Sequence, residues 1–127
     1  MTHELYRNSA VHTDGFRDAD PLLLEAHLHD ARVVDVREAH EFGGDLGHIR
    51  GAQLVPLATL PSAARDWDLD RTVVVVCRSG GRSGAAARQL VRMGFQRVVN
   101  LRGGMMAWNT AGRPVDRAAP SDAQRAG

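Results

Sequence analysis

The chain contains no lysine: all 16 of its basic residues are arginine. That absence excludes Schiff-base chemistry on a lysine amine and a Walker-type phosphate loop, which needs Gly-Lys-Ser/Thr. Cysteine occurs once, at Cys77, so no disulfide can close within the chain. A cytoplasmic, reducing setting is expected from this, and a reactive thiol would benefit from it. No stretch approaches the ~20 consecutive apolar residues of a membrane span, and the first residues lack the basic-then-apolar pattern of a secretory signal. The formal charge is +1 and the arginines are scattered, which gives no footprint for nucleic acid. There is no internal repeat. With 127 residues, one domain can bury a core without staples.

What the chain does have is a strand, a glycine-containing loop and a helix in immediate succession over residues 72–94. Residues 73–76 are four consecutive valines, as expected of a parallel strand covered on both faces. From Ser83 the spacing is helical, with Ala86, Leu90 and Met93 on one stripe, Arg88 and Arg92 on the other side, and Gly94 as the terminator. Cys77 stands where strand becomes loop. A chain turning sharply there points backbone N–H groups inward, and the helix adds partial positive charge at its first turn. Gly80 and Gly81 let the backbone curl, and Arg78 and Arg82 are expected to add full charges. A thiolate so surrounded is ionised near neutral pH. A lone intracellular cysteine is more commonly structural, but a structural cysteine has no need of this flank of glycines and arginines.

The loop Cys77-Arg78-Ser79-Gly80-Gly81-Arg82-Ser83 resembles the active-site loop of the rhodanese family of sulfurtransferases. Three further patches resemble that family in the same order: Asp35-Val36-Arg37-Glu38, Gly47-His48-Ile49-Arg50-Gly51-Ala52, and Leu101-Arg102-Gly103-Gly104 with Trp108. Each is weak alone and the four together are specific. The resemblance covers residues 16–115. It implies a sulfurtransferase in which Cys77 carries the transferred sulfur, Arg78 to Ser83 bind the substrate, and no cofactor or metal takes part.

The remainder frames this loop. Residues 1–15 are a polar extension without a clear period. Asp20-Pro21 caps a short helix over 22–28. His27 and His29 sit two apart and point different ways on a helix, without a Cys or carboxylate to complete a metal site. Residues 31–36 are a second strand, with Asp35-Val36-Arg37 at its end. There a carboxylate either serves as a general base or, more commonly, fixes a loop by accepting backbone N–H bonds. Arg37 and Glu41 are spaced for an ion pair. His48 has the titration range of a general base, yet an ionised thiolate needs none, and in the resembling family this motif is a structural turn. Residues 53–55 are a strand, 57–67 a helix interrupted by Pro61, and 66–70 a solvated turn lacking the glycine and glutamate of a calcium loop. A strand over 97–101 and a helix over 105–111 follow, with Trp108 expected in the core or in a pocket wall. Residues 116–127 have little to bury and are expected to be disordered. The alternation predicts an α/β fold, an open, mainly parallel sheet of four or five strands with helices on both faces.

For such a loop the fitting chemistry is transfer of a sulfane sulfur from an anionic donor, thiosulfate first, to a thiol or cyanide through a persulfide on Cys77. One alternative is a persulfide carrier or redox-sensing module that works with a protein donor or acceptor. Another is a phosphatase or arsenate reductase. Phosphatases with a similar turn place five residues between cysteine and arginine, whereas four separate Cys77 from Arg82, a tighter cup for a tetrahedral phosphate.

Overall fold

In a computed structural model, residues 3–125 are described. The strands β1 (Ala10–Val11), β2 (Arg17–Ala19), β3 (Arg32–Asp35), β4 (Gln53–Leu54), β5 (Val73–Val76) and β6 (Val98–Leu101) form one sheet. Their order is β1-β2-β6-β5-β3-β4. Only the β1 and β2 pair is antiparallel. Side chains alternate across a strand, and β5 divides accordingly. Val74 and Val76 join a core with Leu24, Phe42, Met105 and Trp108. Val73, Val75 and the following Cys77 join another with Leu60, Ala86, Ala87 and Leu90.

Each face is covered by helices. On the first lie α1 (Glu4–Asn8), α2 (Pro21–Ala26), α3 (Ala39–Phe42) and α6 (Gly104–Thr110); on the second lie α4 (Leu60–Ala64) and α5 (Gly81–Arg92). Asp20 caps α2 as its sequence implies, accepting the Leu23 N–H at 2.9 Å with Pro21 in the first turn. Pro61 opens α4 rather than interrupting a helix, and a 3₁₀ turn over Leu57–Thr59 precedes it. No helix among the described residues is long and apolar enough to cross a membrane.

The sheet has six strands where four or five were expected, because β1 and β2 carry no apolar alternation. Ala19 is the buried residue of β2; Arg17 and Asp18 are half-buried. What holds β2 is its ladder to β6, which sets Asp18 opposite Asn100. The first fifteen residues contribute both β1 and α1, whose Leu5 enters the core. At the other end, the segment expected to be disordered lies against the domain through residue 125. Asp116 and His48 exchange backbone hydrogen bonds of 2.8 and 2.9 Å, and Leu54 bridges to Arg125. Backbone pairing of this kind needs no apolar side chains, so composition gives no sign of it.

Candidate active site

The parallel strands β3 and β5 end side by side, Asp35 opposite Val76. Outside the carboxyl ends of such strands is where open α/β sheets bind ligands. Cys77 directly follows β5, and Gly80, with φ of 113°, turns the chain into α5. The helix therefore begins at Gly81, two residues before its apolar spacing becomes readable.

This turn aims donors at the sulfur. The Gly80 N–H reaches Cys77 Sγ at 3.0 Å, and Ser83 Oγ lies 3.3 Å away. Burial pushes the Cys77 thiol up, while hydrogen bonds from the Ser83 hydroxyl and from the N–H groups of Ser83, Gly80 and Ser79 pull it down. The balance lies below the ordinary thiol value. Cys77 is 1% exposed, so the sulfur lies at the floor of the cup, beneath the exposed residues Arg78, Ser79 and Gly81.

The opposite side of the loop is tied down by α6. Met105 N–H donates to the Cys77 carbonyl at 2.8 Å and Met106 N–H to the Arg78 carbonyl at 3.0 Å. For the helix to come this close, Gly104 must lack a side chain: a Cβ there would lie 2.5 Å from the Cys77 carbonyl oxygen and 2.6 Å from Arg78 backbone. The glycine pair of the fourth patch is thus the buttress of the cysteine loop.

The two loop arginines each make their side-chain hydrogen bonds to a neighbour other than the sulfur. Arg82 forms a two-pronged pair with Glu41 on α3, at 2.7 and 2.8 Å. The Arg82 side chain holds the Glu41 carboxyl down at about 2. Arg78 extends over α6 to Met106 Sδ at 3.2 Å. Backbone amides and one serine, not free guanidinium groups, therefore make the cup. The pairing expected between Arg37 and Glu41 is replaced as well. Arg37 lies ahead of α3, so helical spacing does not apply to it, and it turns back on Asp35 with bonds of 2.9 and 2.7 Å, both side chains 1% exposed. Asp35 also accepts the Arg37 N–H at 3.2 Å, which leaves it as a fixed turn rather than a base.

His48 is also elsewhere. Its ring stacks on Phe42 at 3.6 Å, and Nδ1 faces the Phe42 carbonyl at 2.9 Å, which makes Nδ1 the protonated nitrogen because a carbonyl only accepts. Its Nε2 faces Gln124 at 3.4 Å. His27 pairs with Asp30 at 3.3 Å, and no cluster of three metal-ligating side chains occurs among the described residues. A cavity of about 590 Å³ is lined by Ala31, Val33, Ile49, Arg71 and Trp108, among others, and by none of residues 77–83.

Two residues at the cup have no counterpart in the sequence reading. Ser83 Oγ lies 2.6 Å from Asn100 Oδ1 on β6, and Asn100 Nδ2 donates to Asp18 Oδ1 on β2 at 3.1 Å. The available signal was Asn100 itself, a polar residue inside an otherwise apolar strand, which requires a partner.

A cysteine cradled by amides at the end of a central parallel strand is an arrangement that suits thiolate chemistry in an α/β fold. A family model for the rhodanese-like domain matches residues 20–111, and the chain belongs to that family. It is 39% identical over 90 residues to a sulfurtransferase of Allochromatium vinosum, spanning 71% of this chain and 82% of that protein. To thiosulfate sulfurtransferase GlpE of Pseudomonas fluorescens it is 41% identical over 80 residues, 63% of this chain and 72% of that one. Among solved structures, a rhodanese-related protein of Thermoplasma volcanium superposes with a TM-score of 0.74 at 28% identity, covering 81% of this chain and all of that one. Sulfur transfer is the activity these relatives support.

Proposed function

We propose that the protein is a sulfurtransferase in which Cys77 takes a sulfane sulfur from an anionic donor, thiosulfate first, and passes it to a thiol or cyanide. The observation that carries this reading is the convergence of fixed N–H donors on one sulfur. As thiolate, Cys77 attacks the outer sulfur of thiosulfate. A bond forms between the two sulfurs, and sulfite departs with the electron pair of the broken one. The product is a persulfide whose negative charge lies on its outer sulfur. The backbone N–H groups of Gly81 and Arg82, at the head of α5 where no intrahelical acceptor exists, would receive that charge. Cyanide or a thiolate then attacks the outer sulfur, and Cys77 leaves again as thiolate, ready for another cycle. Neither half-reaction needs a metal, a cofactor or a general base.

A second reading is favoured by one specific observation. Glu41 occupies both prongs of Arg82, so a doubly charged donor would meet Arg78 as the loop's other guanidinium. A persulfide carried by a protein or a small thiol makes less demand on charge, and the chain would then be a carrier or redox-sensing relay with a protein partner. The phosphatase or arsenate-reductase reading has less support, because Arg82 is turned away to Glu41 and offers no fork to a tetrahedral oxyanion.

Intact-mass measurement after incubation with thiosulfate tests the proposal. The expected result is a gain of one sulfur atom, lost on addition of cyanide and absent in Cys77→Ser. If thiosulfate fails to load the protein while a protein persulfide loads it readily, the carrier reading replaces the first. Hydrolysis of an aryl phosphate without any persulfide would overturn both.

A further inference from the structure

The Ser83 hydroxyl has one proton and three acceptors within reach: Asn100 Oδ1 at 2.6 Å, the Gly80 carbonyl at 3.2 Å and Cys77 Sγ at 3.3 Å. Which one it serves is decided two residues away. Asp18 lies across the ladder from Asn100 and, as a carboxylate, can only accept. It therefore holds the Asn100 amide with its NH₂ toward Asp18 and its carbonyl toward Ser83. Two oxygens 2.6 Å apart require a proton between them, and Ser83 alone has one to give.

We infer that Asp18, acting through Asn100, is a positioning residue that draws the Ser83 hydroxyl proton away from the Cys77 sulfur. The backbone N–H groups in the cup are fixed; Ser83 is the one adjustable donor, and Asn100 competes with the sulfur for its proton. The consequence is a thiolate that is formed but not over-stabilised, which matters because thiolate nucleophilicity falls as thiol pKa falls. After loading, the inner sulfur is uncharged and has little use for the Ser83 proton, so the arrangement favours the loaded state over the thiolate.

The charged groups nearest the loop do not compete for this role. Arg82 is paired with Glu41, Arg37 with Asp35, and Arg78 lies on Met106; none of these makes a hydrogen bond to Ser83 or Asn100. On β2, Arg17 donates to the carbonyls of Tyr6 and Arg7, leaving Asp18 as the carboxylate that faces Asn100 among the described residues.

The inference rests on Cys77 being the nucleophile, and its test is independent of sulfur transfer. The rate of iodoacetamide alkylation is measured against pH; as the only cysteine, Cys77 gives an unambiguous signal. Asp18→Asn permits either orientation of the Asn100 amide and should free the Ser83 proton for the sulfur. The alkylation midpoint should then fall by about one pH unit, the size expected when a charged acceptor gains a hydrogen bond, and the plateau rate at high pH should fall with it. Loss of the Asp18 charge also lowers the midpoint directly, so the same substitution is made together with Ser83→Ala, where only that direct part persists. Asn100→Ala, which removes the acceptor, gives a second route to the same release if Asp18→Asn does not fold. Midpoint shifts that are equal with and without Ser83→Ala, or absent, or upward, would overturn the inference.

Discussion

The turns that follow β3 and β5 emerge side by side at the carboxyl ends of two neighbouring inner strands, and each buries polar groups. After β3, the carboxylate of Asp35 is consumed by three donors of Arg37, and the Arg37 guanidinium also reaches the Gly47 carbonyl at 2.7 Å. Charge meets charge, and both oxygens of the carboxylate are taken. After β5, the donors are backbone amides and the acceptor is a single buried sulfur. The lesson is that burial does not distinguish framework from chemistry here. What distinguishes them is whether the buried acceptor is a group that can form a new bond.

Several substitutions would break or sharpen this contrast. The largest effect falls on β5's turn: Cys77→Ser should abolish sulfur loading by intact mass while leaving the fold in place by circular dichroism. On β3's turn the expected effect is on stability instead. Arg37→Met strands a buried carboxylate and should cost about 3–5 kcal/mol in urea unfolding, and adding Asp35→Leu should recover much of it.

A smaller effect is expected at the buttress. Gly104→Ala puts a methyl group against the backbone of Cys77 and Arg78 at a φ of +59°, which should cost about 1–3 kcal/mol and slow loading as the loop shifts. Gly51→Ala is the control: its φ is +88° but a Cβ there meets nothing within 4 Å, so stability should fall with loading unchanged. Smallest is the pair that links the two turns. The Glu41 carboxyl is held at about 2 against an ordinary 4.5, so its contribution is fully present above about 4.5 and lost as pH falls through about 2. The Arg82 side chain is 39% exposed, and solvent screening leaves roughly 1 kcal/mol or less. Unfolding of wild type and Glu41→Gln should differ by that amount at neutral pH and converge in acid.

The cysteine loop and the central strand were legible in the sequence because a run of β-branched residues, a glycine turn and a helical stripe each carry a local signal. Pairings across the sheet were not. Arg37 sits where i,i+4 spacing would join it to Glu41, but that rule holds only inside a helix, and α3 begins at Ala39. Asp18 and Asn100 meet because β2 and β6 are neighbours in space, 82 residues apart in the chain. The docked segment from Asp116 onward is fastened by main-chain bonds between Asp116 and His48 and by a bridge of Arg125 to Leu54, which any sequence could supply.

The central claim is that the backbone of one loop ionises Cys77. Its most direct measurement is the pH dependence of Cys77 alkylation in the unmodified protein. A midpoint well below the ~8.5 of an ordinary cysteine thiol is the predicted result; a midpoint at or above that value would mean that burial outweighs the amides, and would contradict the account.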